Sequence, residues 1–185
     1  MKVVGFVGSP RKDGNTDVLV QQVLDGASEN GADVRKFNIN AMDFQGCQAC
    51  GYCKAHERCK LDDDMEKALD AIIDADGIVF GSPIYFGQFT GQARSFIDRF
   101  YSLINPDFSP RINAGKKLVL VGSQGFPEKS QYKPVFEEFG GLMNQFFGME
   151  IKNTLLGAGY YEPGAVKENT ELMGEAKTAG KEMLD

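Results

Sequence analysis

All four cysteines of this chain fall within thirteen residues, Cys47, Cys50, Cys53 and Cys59, in the spacing C-x2-C-x2-C-x5-C. Thiols packed this closely suit a cubane iron-sulfur cluster, whose four iron corners one short irregular loop can ligate. The first three follow the spacing of a bacterial ferredoxin run. The fourth comes after five residues rather than three and is followed by Lys60 rather than proline, which would complete a single cluster within one loop. A structural zinc site usually joins two C-x2-C pairs a dozen or more residues apart, and the chain has no second pair. A disulfide framework would spread its cysteines to staple distant segments, and no secretory signal points to an oxidising compartment. Reduced, unligated thiols stay open beside the cluster.

A second set of residues suits an anion. In Gly8-Ser9-Pro10-Arg11-Lys12-Asp13-Gly14-Asn15-Thr16, the hydroxyls of Ser9 and Thr16, the guanidinium of Arg11, the amide of Asn15 and the free N–H groups of a following helix can together enclose a phosphate dianion. The loop is not that of a nucleotide triphosphatase, because Asn15 stands where the phosphate-binding lysine belongs, and it lacks the G-x-G-x-x-G of a dinucleotide fold. Two further loops keep it company. Ser82-Pro83-Ile84-Tyr85-Phe86-Gly87 offers a rigid proline, two aromatics and backbone donors to a flat ring, and Gly122-Ser123-Gln124-Gly125 can close the other side. Together they describe a site for a phosphorylated aromatic cofactor.

The elements that must position these loops follow from hydrophobic period. Residues 2–8 predict a buried strand, 16–29 a helix with Val18, Leu19, Gln22 and Val23 on one face, and Asp33 to Ile39 a second strand leading into the cysteine segment. Asp62-Asp63-Asp64 precedes a helical stripe of Met65, Leu69, Ile72 and Ile73. Its start is marked by a capping box, Asp63-x-x-Glu66, and the acidic triplet is better explained by the helix dipole than by a metal. Strands are expected at 77–81, 116–121 and 149–156, and helices from about Thr90, over 135–147, and over 165–184. Five strands alternating with helices make an α/β doubly wound parallel sheet covered on both faces. The flavodoxin-like order 2-1-3-4-5 is expected, with a ligand at the switch point between the first and third strands.

With 185 residues and no repeat, one domain over 1–185 is expected, carrying a cysteine-rich loop at 46–61. A net charge of −6 argues against nucleic acid, and no apolar run approaches membrane-spanning length, so a cytoplasmic protein is expected. Within this acidic chain Lys54, His56, Arg58 and Lys60 form a small basic island beside the last two cysteines, read either as a docking surface or as a solvated loop. His56, the lone histidine, is read as a solvated loop residue, and no catalytic acid or base is assigned.

Ser9-Pro-Arg-Lys-x-Gly-Asn-Thr16, Ser82-Pro-Ile-Tyr-Phe-Gly87 and Phe96-Ile-Asp-Arg99 resemble the motifs of the NADPH-dependent FMN reductase group of flavodoxin-like proteins. Together with the cysteine loop and Asp62-Asp-Asp-Met65, they make the chain similar to the iron-sulfur flavoproteins of anaerobic microbes. The resemblance covers nearly the whole chain and is weakest at Gln124-Gly125-Phe126-Pro127-Glu128. It implies FMN bound by Ser9, Arg11, Asn15, Thr16, Pro83, Ile84, Tyr85, Phe86, Gly87, Ser123, Gln124 and Gly125, and a 4Fe-4S cluster on the four cysteines. It also implies ferredoxin as partner, and a dimer or tetramer that brings one subunit's cluster near another's flavin. Electron transfer between cluster and FMN is the expected role. A cluster-free NAD(P)H-dependent FMN or quinone reductase and a redox- or metal-responsive binding protein are the rivals. The helix at 135–147, with Phe136, Phe139, Met143, Phe146 and Phe147 across more than one face, points separately to a homo-oligomer.

Overall fold

The computed structural model describes residues 1–185. Its elements are β1 (Lys2–Val7), α1 (Asn15–Glu29), β2 (Asp33–Asn38), α2 (Tyr52–Ala55), α3 (Met65–Asp74), β3 (Gly77–Tyr85), β4 (Gln88–Phe89), α4 (Gly91–Asp98), β5 (Lys117–Gln124), α5 (Lys133–Phe147), β6 (Glu150–Ala158) and α6 (Thr170–Glu182). The strands lie in the order β2-β1-β3-β5-β6, and each neighbouring pair on that path is parallel. The short β4 pairs antiparallel with β3 alone. The expected doubly wound order is present, with β4 as the one strand the periodicity did not announce.

Near-continuous apolar strands are what a sheet buried on both faces requires, and successive side chains supply two separate cores. Val4, Phe6, Ile78, Phe80, Leu118 and Leu120 face one way, against α3, α4 and α5. Val3, Val7, Val79, Val119 and Val121 face the other, against α1 and α6. Gly81 lets α1 settle onto the sheet near the switch point, since a Cβ there would lie 2.4 Å from Val20.

Five expectations change. The third strand does not stop at Gly81 but runs to Tyr85, and Phe86-Gly87 turns it into β4 with both residues at positive φ, 52° and 83°. Two such residues between antiparallel strands are the geometry of a tight hairpin. The fourth strand likewise continues past Val121 to Gln124, and the fifth past Leu156 to Ala158. The capping box is not formed as expected. Asp63 accepts from Met65 N at 3.1 Å, but Glu66 turns away to pair with Arg58. Finally, the apolar surplus of α5 is spent inside the chain, where Phe136, Phe139, Met143 and Phe147 are buried and Phe146 packs against the core. The phenylalanines of α5 therefore do not call for a second copy to cover them.

Candidate functional site: a crevice at the strand ends and a cavity lined by thiols

At the carboxyl ends of β1, β3 and β5, Ser9, Arg11, Asn15, Pro83, Ile84, Tyr85, Ser123, Gln124 and Gly125 line one cavity of about 150 Å³. Its cause is the topology. Gly8 N donates to Gly81 O at 2.7 Å, the last bond between β1 and β3, and two residues on, Pro83 presents no N–H to the side where β1 has ended. No ladder bond is lost there, and a gap opens between strands. Thr90 braces the rim from below: its buried hydroxyl donates to Gly8 O at 2.7 Å and accepts from Ala93 N at 3.2 Å, capping α4.

The individual side chains divide between lining and bracing. Ser9 Oγ, buried, accepts from Arg11 N at 3.1 Å and so tightens the turn. No side chain caps α1, which leaves the N–H groups of its first turn without a side-chain acceptor, and Gly14 and Asn15 at its start line the cavity. Asn15 uses both ends of its amide on the last loop, donating to Glu162 O at 3.0 Å and accepting from Val166 N at 3.0 Å. Thr16 does not line the cavity; its hydroxyl meets that of Ser123 at 2.7 Å and ties α1 to β5. The Gln124 amide donates to Phe126 O and Glu128 O, holding its own loop in shape. Phe86 and Gly87 also lie outside the cavity, because the hairpin turns the Phe86 ring fully into solvent.

Tyr160 and Tyr161, which periodicity did not single out, complete the lining. Arg11 Nη1 donates to Tyr161 O at 2.9 Å, and the Tyr161 ring lies over Gly125, where a Cβ would meet it at 2.4 Å. Their signal was position alone, since they follow the last strand at the same sheet edge. Larger clefts exist, about 620 Å³ between β6 and α6 and about 470 Å³ over Asp43, Asp62, Asp63 and Asp64, but neither lies at the strand ends.

The four cysteines meet elsewhere. Cys47, Cys50, Cys53 and Cys59 line a single small cavity together with Leu61, Arg99, Tyr101 and Ser102, and all four are free thiols. Gly51, at φ 71°, turns the segment into the single turn of α2, which carries Cys53 inward. Two cations tie the segment to its surroundings through carbonyls, one from outside and one of its own. Arg111 donates to Cys53 O at 2.7 Å and to His56 O at 3.2 Å, and Lys54 Nζ donates to Tyr101 O at 2.8 Å while lying 3.6 Å above the Tyr101 ring. Burial holds the Lys54 ammonium below the ordinary lysine range, against the opposing pull of Cys53. Arg99, 2% exposed, makes a bidentate pair with Asp63 at 2.7 and 3.0 Å and donates to Gln45 O. Burial alone would lower the guanidinium, but Asp63 and then the nearby Cys59 outweigh it and raise it.

The basic island is thereby divided. Lys54 points inward, Arg58 pairs with exposed Glu66, His56 stacks on Tyr52 at 3.9 Å, and Lys60 alone is exposed without an ion-pair partner. No three His, Cys, Asp or Glu side chains are drawn together tightly enough to hold a single metal ion. The fit to a cluster rests instead on the donor set. Four thiols share one cavity, Arg99 is on its wall, Lys54 lies near Cys53 and Cys47, and Arg99 Nε is buried without a hydrogen-bond partner. That is a surrounding for a negatively charged, thiolate-ligated group.

A doubly wound sheet with a crevice at its β1/β3 switch point defines a flavodoxin-like protein. The chain belongs to the NADPH-dependent FMN reductase family, whose model matches residues 1–143. It is similar to an iron-sulfur flavoprotein of Methanocaldococcus jannaschii, 37% identical over 54% of this chain and 51% of that one. Another, from Methanosarcina thermophila, is 33% identical over 70% of this chain and 69% of the relative. The match to the first thus spans about half of that relative's length. Among solved structures, an FMN-dependent NADH-azoreductase from Bacillus anthracis in complex with FMN superposes with a TM-score of 0.74 over 100% of both chains at 14% identity, a likeness of fold. No helix is long and apolar enough to cross a membrane.

Proposed function

We propose that this is a single-domain, cytoplasmic electron-transfer flavoprotein, with FMN at the strand ends, a 4Fe-4S cluster on Cys47, Cys50, Cys53 and Cys59, and a ferredoxin as its electron carrier. The observation that carries it is four thiols lining one cavity in a chain of an FMN family. When bound, the cluster supplies single-electron transfer and the flavin ring a store for one or two electrons.

The chain's own part is to bind, orient and bias. Arg11, Ser9 and the first-turn N–H groups of α1 would hold the phosphate end. Pro83, Ile84, Tyr85 and Tyr161, which line the same crevice, would hold the ring. Thr16 acts behind this surface, fixing β5, and Asn15, on the lining itself, fixes the last loop. At the other site Lys54 and Arg99 favour added negative charge. No proton transfer is required of any side chain. Assembly into a dimer or tetramer, which would bring cluster and flavin of different copies together, is part of this reading.

The test is anaerobic purification or reconstitution with iron, sulfide and flavin assays. About four irons and one FMN per chain, with a broad absorbance shoulder that bleaches on reduction, is the expected result. Flavin bands alone with NAD(P)H turnover select the cluster-free reductase, and colourless protein selects the binding module.

A further inference from the structure

We propose that Arg99 is a positioning residue for the cluster, its unpaired Nε–H donating to sulfur at the Cys59 corner and so favouring the reduced form. The inference rests on the reading of the four cysteines as cluster ligands.

Arg99 Nε is the one buried side-chain nitrogen or oxygen in the chain that meets no hydrogen-bond partner. A buried donor left unpaired is costly, and such a group calls for a partner that completes it. The guanidinium cannot turn to find another. Nη1 and Nη2 are forked onto Asp63, Nη1 also meets Gln45 O at 2.7 Å, and Asp63 is itself held by Met65 N at 3.1 Å and Gln45 N at 3.2 Å. Ser102, the hydroxyl on the same cavity wall, donates to Arg99 O at 2.9 Å, and Cys59, which lines that cavity with Arg99, lies near enough to raise its guanidinium. Cys59 is also the one cysteine that lines, with Arg99, an adjoining cleft of about 410 Å³, so the two residues share both cavities.

Asp63 cancels the guanidinium's charge, so the effect of Arg99 is that of a directed hydrogen bond, strengthening as sulfur gains electron density. One electron enters, no proton moves, and Arg99 stays protonated.

The test is a redox titration of the reconstituted wild type, Arg99→Lys and Asp63→Asn at matched iron and sulfide content. Arg99→Lys keeps a positive charge and loses the Nε–H. Its one-electron reduction should become about tenfold less favourable, about 59 mV more negative. Asp63→Asn leaves the Nε–H in place beside an uncompensated cation and should shift the potential in the positive direction. Unmoved potentials, or shifts of the same sign in both variants as a loosened loop would give, overturn the proposal. Because lysine strains a site built for a planar fork, an independent readout uses the unmutated protein. Pulsed EPR of reduced protein grown on arginine labelled with 15N at Nε should show one coupled nitrogen, and none would overturn the proposal even if Arg99→Lys fails to retain its cluster. A wild type that takes up no cluster sinks the functional reading and this inference together; a cluster with no coupled arginine sinks only the latter.

Discussion

The two sites are held by different kinds of bond. Around the strand-end crevice the contacts are mostly neutral and come from the sheet itself or from the turns that leave it, as with Thr16 to Ser123, Thr90 to Gly8 and Asn15 to Glu162 and Val166. Around the thiol cavity they are charge-assisted and come from afar. Arg99 reaches Asp63 and Gln45, Arg111 reaches Cys53 and His56, and Lys54 reaches Tyr101 and Ile104. A sheet edge can form a site from topology alone. A segment with one turn of helix has no such frame, so remote cations must clamp its carbonyls.

The sharpest way to separate the sites is to remove a thiol. Cys53→Ala or Cys59→Ala should abolish ferredoxin-linked flavin reduction while FMN stays bound, because neither residue touches the crevice. Stopped-flow absorbance under anaerobic conditions measures both. A variant that still reduced FMN at the wild-type rate would end the electron-transfer reading.

Next in size is the clamp. Arg99 and Asp63 form a buried pair, with side chains 1% and 13% exposed, and removing one partner of such a pair costs about 3–5 kcal/mol. Asp63→Ala should lose stability on that scale in urea titration and scarcely alter FMN affinity. The pH dependence has a fixed sign. Burial raises the Asp63 carboxyl, but the bonds from Arg99, Gln45 and Met65 outweigh it and hold it below the ordinary range. Its contribution is therefore complete above the unfolded value of about 3.9 and is lost as pH falls through the lower folded value. Acid should loosen the cysteine segment in wild type more than in Asp63→Ala.

On the other side of the comparison, Arg11→Ala removes one charge-assisted contact from the proposed phosphate site. A loss of about 1.5–3 kcal/mol, roughly ten- to a hundredfold in FMN affinity, is expected by fluorescence titration. Since Arg11 also donates to Tyr161 O, Arg11→Lys should recover only part of it. Unchanged affinity would take Arg11 out of the site.

The same contrast explains what could be read in advance. Strand order, the two cores and the crevice follow from period and connection rules, so the loops after the first, third and fourth strands were found as a set. The longer third strand escaped notice because Ser82-Pro83 reads locally as a break, whereas the chain continues into a hairpin that only pairing with Gln88 and Phe89 makes visible. Arg99 closes the Phe96-Ile-Asp-Arg99 motif with no local cue to its role, and Arg111 lies outside every expected strand and helix. Nothing local marks an arginine as the clamp of a segment more than fifty residues away.

The smallest effect concerns the outer surface of the cysteine segment. Lys54, Arg58 and Lys60 looked interchangeable as a docking patch, but Lys54 is turned inward and Arg58 is paired with Glu66, leaving Lys60 as the uncompensated charge. Reversal of Arg58 and Lys60 to glutamate should therefore slow reduction by a ferredoxin only severalfold at low salt. The difference should fade as ionic strength approaches 0.15 M, where screening acts over about 8 Å. Lys54→Glu belongs to the other kind of bond: it would set a carboxylate against the Tyr101 and Ile104 carbonyls, and its defect should persist at high salt. Equal, salt-insensitive defects in both variants would mean that the island acts only as a clamp and that the carrier docks elsewhere.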